Sequence, residues 1–85
     1  MNTVVVHIRE PHDVYIGRPS KWGNPFYLGI DGNRAEVIAK YREWISKQPL
    51  LLADLEELRD KRLGCYCAPQ SCHGDVLVEL LNANI

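Results

Sequence analysis

The hydrophobic and polar positions of the chain change period along its length, and each change marks an element. Thr3-Val4-Val5-Val6-His7-Ile8 is one β-branched run and Asp13-Val14-Tyr15-Ile16-Gly17 is a second. The turn-like Arg9-Glu10-Pro11-His12 separates them, so the pattern predicts two adjacent strands. Between Gly17 and Asn33, the residues Pro19, Gly23, Asn24, Pro25, Gly29, Asp31 and Gly32 punctuate too densely for a helix. This stretch reads as a structured loop in which Phe26-Tyr27-Leu28 is able to pair briefly as a strand. From Arg34 to Gln48 the apolar Val37, Ile38, Tyr41, Trp44 and Ile45 recur at helical spacing, with Asn33 and Glu36 placed as an N-cap and its reciprocal partner. Pro49 stops that helix, and Leu50 to Arg59 is predicted as a shorter one with Leu51, Leu55 and Leu58 on one face. Arg62-Leu63-Gly64-Cys65-Tyr66-Cys67 reads as a strand ending at Ala68-Pro69-Gln70. Ser71 then serves as N-cap of a last helix whose Val76, Leu77, Leu80 and Leu81 form an apolar stripe.

Strands, then helices, then a strand and a helix predict an α/β fold in which residues 1–85 form a single domain. The expected architecture is a small mixed sheet of three to four strands with about three helices, ending in a Rossmann-like strand-turn-helix. A chain of 85 residues buries only about 60–65% of its unfolded surface, which predicts completion by a metal, a ligand or a partner chain and favours a homo-oligomer. Ten basic residues stand against eleven acidic ones, a formal charge of -1. That balance leaves no electrostatic footprint for gripping duplex nucleic acid, whose affinity comes from counterions displaced along many phosphates. No run approaches the ~18–20 apolar residues of a membrane span. The start, MNTVVVHIRE, has no charged segment followed by a long apolar one, so no membrane partner and a cytoplasmic location are expected. The three cysteines are odd in number and crowd between positions 65 and 72. This is the opposite of a spread disulfide framework and predicts reduced thiols.

The densest chemistry lies in Cys65-Tyr66-Cys67-Ala68-Pro69-Gln70-Ser71-Cys72-His73-Gly74-Asp75. On a strand Cys65 and Cys67 share a face, with Cα atoms about 6.6 Å apart at roughly 3.3 Å per residue, and a disulfide between them would be strained. Cys72 and His73 fall at the first turn of the last helix, where free N–H groups and the dipole lower thiol pKa and attract anions. Three readings stay open. Cys65, Cys67, Cys72 and His73 are a soft Cys3His set for zinc, or for iron with a position left open, although Cys-x-Cys on a straight strand splays its sulfurs. Alternatively the turn and helix start bind a phosphate or carboxylate against Cys72, His73 and the helix amides. In the third reading the cysteines are small buried hydrophobes and His73 is a surface residue beside a cap.

The loop Gly17-Arg18-Pro19-Ser20-Lys21-Trp22-Gly23-Asn24-Pro25-Phe26 carries two cations, a hydroxyl, an indole and an amide. Such a loop suits an anionic, planar ligand, with Arg18 or Lys21 for phosphate, Trp22 for stacking on a base and Asn24 for a polar edge. Equally, Gly17 and Gly23 serve turns, Trp22 and Phe26 plug one end of a thin core, and the cations are solvated. Tyr15, Tyr27 and Tyr66 read as sheet-face packing, and His7 and His12 as incidental.

VYIGRPSKWGNPF near the start and LGCYCAPQSCHGDVLVEL near the end together resemble the small family catalogued as domain of unknown function 4326, found in phages and bacteria. The resemblance runs from Val14 to Leu80, with both boxes in order and a helical segment between them. The last box is also similar to the C-terminal end of a second family, in which a strand carrying Cys-x-Glu precedes Cys-His at a helix start. That similarity implies that a carboxylate can stand at the position of Cys67, which favours a ligand or reaction pocket over a purely structural zinc site. The family resemblance implies a compact α/β fold and an association with phage genomes, where small nucleotide-handling and anti-defence proteins are common.

The two boxes predict a site for an anionic, nucleotide-type small molecule, ADP-ribose-like in kind. Arg18, Ser20, Lys21, Trp22, Gly23 and Asn24 would bind it from the first box, and Cys72, His73 and Gly74 from the last. Such a protein either sequesters the ligand or acts as a small hydrolase or transferase, with Cys72 as nucleophile, His73 as acid-base group and Asp75 as the neighbouring carboxylate. The rival reading is a zinc-stapled protein-interaction module held by Cys65, Cys67, Cys72 and His73. Single-stranded nucleic-acid binding through Lys21, Trp22 and Tyr27 is a third, disfavoured by the near-zero charge. A parallel arrangement with the second and last strands adjacent would bring both boxes to one sheet edge.

Overall fold

The β-branched residues near the start form strand β1 (Val4–His7), and a second extended pair forms β2 (Val14–Tyr15). A computed structural model describes residues 2–68 and 70–83, so Pro69 of the expected turn lies outside the described residues. Helix α1 (Arg34–Ile45), helix α2 (Pro49–Ala53), a single 3-10 turn (Leu55–Leu58), strand β3 (Arg62–Cys65) and helix α3 (Gly74–Ala83) complete the order.

The three strands lie in the order β1-β3-β2. Both pairings are parallel, Val4 opposite Arg62 and Val14 opposite Leu63. The sheet expected as mixed is therefore all-parallel among the described residues, and the first two strands flank β3 instead of pairing. The cause is the connection between them. The amide of Glu10 bonds to His7 O, turning the chain, and residues 8–13 then cross over β3. A Cβ at Gly64 would sit 2.6 Å from the His12 ring, so the crossover passes where the central strand has no side chain. His12, which looked incidental, is the residue that fills this gap. The step is short: about two residues back along the sheet and two strand spacings of about 4.8 Å across it, within reach of six residues.

On the opposite face alternation turns Leu63 and Cys65 into the core. There they meet Ile16 and Trp22 from the first box, Tyr41 and Ile45 of α1, Leu55 and Leu58 of the 3-10 turn, and Val76, Leu77 and Leu81 of α3. Helix α3 comes so close to the sheet that a Cβ on Gly74 would lie 2.8 Å from Ile16 Cδ1 and 2.9 Å from Val5 Cγ2. No helix among the described residues is long and apolar enough to cross a membrane.

Helix ends follow local chemistry. Asn33 Oδ1 accepts from the Glu36 amide at 2.9 Å, and Glu36 Oε1 accepts from the Asn33 amide at 2.8 Å, the capping box read from the sequence. Asn33→Ala removes one half of it and is expected to cost about 1 kcal/mol, read as a lower denaturation midpoint with unchanged slope. Pro49 opens α2 as well as ending α1. The expected single helix over 50–59 breaks at Asp54, because Leu55 and Leu58, three apart, both reach the core from a 3-10 turn. At α3 the expected cap Ser71 is displaced by its neighbour. Cys72 Sγ accepts from the Gly74 amide at 3.3 Å, and Asp75 Oδ2 accepts from the Cys72 amide at 3.2 Å, so a thiol and a carboxylate together close the turn into the helix.

Candidate functional site

Strands β2 and β3 end side by side, Tyr15 opposite Gly64, and each box leaves the sheet at that shared edge. The carboxyl ends of parallel strands are where open α/β sheets hold ligands. A cavity of about 300 Å³ opens there, and Arg18 and Asn24 from the first box line it together with Cys65, Cys67, Cys72 and His73 from the last.

Three side chains make its floor. Cys65 is 3% exposed, Cys72 2% and His73 7%. One donor atom from each lies within 4.8 Å of the other two, so this group is able to hold a metal ion. A hydrogen bond from the Cys72 thiol brings the Cys65 thiol down to about 5 against the opposing effect of burial, helped by the Cys67 amide at 3.5 Å. The same contact, with burial, pushes Cys72 up, so Cys72 keeps the proton of the pair. The nucleophile expected at Cys72 is thus its donor, and the thiolate character belongs to Cys65. His73 Nε2 lies 2.7 Å from Ile16 O. A carbonyl only accepts, so Nε2 carries a proton and Nδ1 is left with a lone pair to offer. The Tyr41 ring packs edge-on at 5.0 Å and fixes the imidazole plane.

Cys67 lines the cavity but stands outside the metal-competent group. The expected shared face with Cys65 required a strand through position 67, and β3 ends at Cys65. Asp75 does not line the cavity, since its carboxylate turns back to the Cys72 amide. The expected anion seat on the α3 amides is reduced for the same reason. The amide of Cys72 goes to Asp75, that of Gly74 to Cys72 Sγ, and that of Asp75 to Cys72 O. Gly74 faces the sheet rather than a ligand.

The first box contributes less than its composition suggested. Trp22, expected to stack on a base, is 2% exposed and lies in the core, with Tyr41 Oη donating to its carbonyl at 2.8 Å. Lys21 is held 3.0 Å from Asp54 and 2.8 Å from Glu57 and does not line the cavity. Ser20 also lies off the cavity, its Oγ shut from solvent with no partner among the described residues. Gly23 backs onto the Arg18 stem. Asn24 does line the cavity, yet its amide is spent, accepting from the Phe26 amide at 3.0 Å and donating to Val37 O at 3.2 Å. Arg18 is exposed, donates to Asn24 O at 3.1 Å and lies 4.0 Å over the Tyr27 ring.

Two lining residues escape a reading by boxes. Arg34, first residue of α1, donates to Ser71 O at 3.1 Å and brings a second guanidinium to the cavity. The signal for it was electrostatic: a cation in the first turn opposes the helix dipole unless its charge is used elsewhere. Tyr66, expected to pack on the sheet, is 65% exposed and meets Tyr15 edge-on at 6.1 Å at the cavity wall.

Comparison with known proteins places this arrangement among relatives. An uncharacterized 12.4 kDa protein in the nrdA-td intergenic region of Enterobacteria phage T4 is 38% identical over 84 residues, spanning 93% of this chain and 76% of the phage protein. Uncharacterized protein R718 of Acanthamoeba polyphaga mimivirus is 37% identical over 86 residues, spanning 80% of this chain and 65% of the mimivirus protein. The chain thus spans just under two thirds of the mimivirus relative's length. No solved structure matches the chain. A family model matches residues 5–83, nearly the whole chain, and the protein therefore belongs to the family described as Domain of unknown function (DUF4326).

Proposed function

We propose that the protein binds an anionic, nucleotide-type small molecule in the cavity between the two boxes. The observation that carries this reading is the composition of its lining: the guanidiniums of Arg18 and Arg34, aromatic rings at Tyr15, Phe26 and Tyr66, and no carboxylate among the described residues. Two guanidiniums with no carboxylate beside them in the lining favour phosphate or carboxylate groups, which guanidiniums grip in a bidentate way. The exposed Tyr66 ring takes over the stacking role that the burial of Trp22 rules out.

The volume limits what enters. About 300 Å³ is at the small end of ligand sites. A nucleoside monophosphate, or the phosphate-sugar end of a longer nucleotide such as ADP-ribose, fits this space. Retention of such a ligand makes the protein a sequestering module.

Calorimetric titration with nucleoside monophosphates, nucleoside diphosphates and ADP-ribose tests the reading. Arg18→Ala and Arg34→Ala are each expected to weaken binding about 10- to 100-fold, the value of one hydrogen bond to a charged group, with the circular dichroism spectrum unchanged. Absence of binding across the series, or full affinity in both variants, would overturn it.

A further inference from the structure

We propose that Cys65, Cys72 and His73 hold a zinc-class divalent ion whose fourth coordination position opens into the arginine-lined cavity. The inference deepens the anion-binding reading, but its ligand set stands on the cluster alone.

The donor set suits a soft ion. Two thiols and an imidazole select zinc-like metals over magnesium or calcium. Around a tetrahedral ion with bonds of about 2.0–2.3 Å, donors sit about 3.5–3.8 Å apart. The three donors already lie within 4.8 Å of one another, so small side-chain rotations close the site. The histidine is prepared for it. Its Nε2–H is committed to Ile16 O at 2.7 Å, the kind of outer hydrogen bond that fixes the tautomer of a ligating imidazole and leaves the ring's lone pair on Nδ1.

Among the described residues three protein ligands, not four, are in place, because Cys67 stands outside the group. Closed four-ligand sites are structural, whereas three-ligand sites keep a position for water or a ligand atom. All three ligands here line the cavity, so that position faces the bound anion. The charges agree as well. Two thiolates and one divalent ion sum to zero, leaving Arg18 and Arg34 unopposed and giving an anionic oxygen a metal to meet.

Cobalt titration of the full chain, reduced and stripped by chelator, is the test. One equivalent of cobalt(II) is expected to give thiolate-to-metal charge-transfer absorption and the visible bands of a tetrahedral ion, and zinc is expected to displace it. Cys72→Ser is the informative variant, because serine at a helix N-cap keeps the capping bond and the fold. Losing an outer-shell partner costs about 10- to 100-fold in metal affinity, so losing this direct ligand is expected to cost at least about 100-fold. Cys67→Ser is expected to bind like the parent chain. Absence of the cobalt bands, or parental affinity in folded Cys72→Ser, would overturn the assignment. Because cobalt spectra need no nucleotide, failure of the nucleotide titration with the bands intact removes the anion-binding reading alone.

Discussion

Trp22→Ala is expected to lower stability by about 3–5 kcal/mol, the range for truncating a large buried aromatic. A domain of this length has roughly 4–13 kcal/mol in total, so the variant should sit near the edge of folding. In thermal unfolding the drop corresponds to about 12 °C or more. The reason is position: the indole is 2% exposed and packs in the cluster that joins α1, the 3-10 turn and α3 to the sheet. Trp22→Phe should recover most of the loss. A stability unchanged in Trp22→Ala, with nucleotide binding abolished, would show instead that the ring stacks on a ligand.

The second large effect is on proton chemistry. In reduced, metal-free protein the far-ultraviolet absorbance of the first thiolate to form is expected to titrate near pH 5, and the assigned residue is Cys65. Cys72→Ala removes the hydrogen bond that holds this value down, and the midpoint should rise by several pH units toward the ordinary 9.0. Cys72→Ser, which retains a hydroxyl donor, should keep most of the depression. The consequence for stability has a definite sign. Cys65 ionises more readily folded than unfolded, so between about pH 5 and 9 the unfolded chain binds more protons and stability rises with pH. That contribution is complete above the unfolded value and lost as pH falls through the folded one. Cys72 is shifted the other way, so above about pH 9 it reverses the trend. Denaturation midpoints from pH 5 to 10 should peak near 9 in the parent chain and lose the rise in Cys72→Ala. A flat profile in the parent chain would remove the thiol pair as its cause.

Periodic and local features were legible in the sequence. The capping box at Asn33 and Glu36, the helical stripe of α1, and the strand-turn-helix around the cysteines depend on neighbours within a few residues. The adjacency of the second and last strands entered only as the arrangement that would join the two boxes, against the expected pairing of the first two strands, and Val14 opposite Leu63 realises it. What escaped depends on contacts far apart in sequence. Trp22 has the same identity whether it stacks on a ligand or fills a core, and only the arrival of Tyr41 and α3 decides. Arg34 lies in neither box, and its place at the cavity follows from how α1 is docked. The exclusion of Cys67 turned on β3 ending at Cys65 and not two residues later. The capping side chain of α3 moved by a single residue, from Ser71 to Cys72, which made a thiol a structural acceptor and took up the Gly74 amide expected to bind an anion.

The strand order β1-β3-β2 has a bearing on how the protein is made. Neither early strand has its partner until Arg62–Cys65 has been synthesised, because among the described residues Val4 and Val14 both pair with that segment alone. A chain emerging from the ribosome therefore carries two unpaired β-branched stretches until residues 62–65 are made, and the sheet closes by contacts of long loop length. The same late segment brings Cys65, with Cys72 and His73 close behind it, so the thiols are buried in the step that completes the sheet. Burial of the candidate site and completion of the sheet are consequently one event, and any ion or reductant that acts on these sulfurs meets them before that event or through the cavity afterwards.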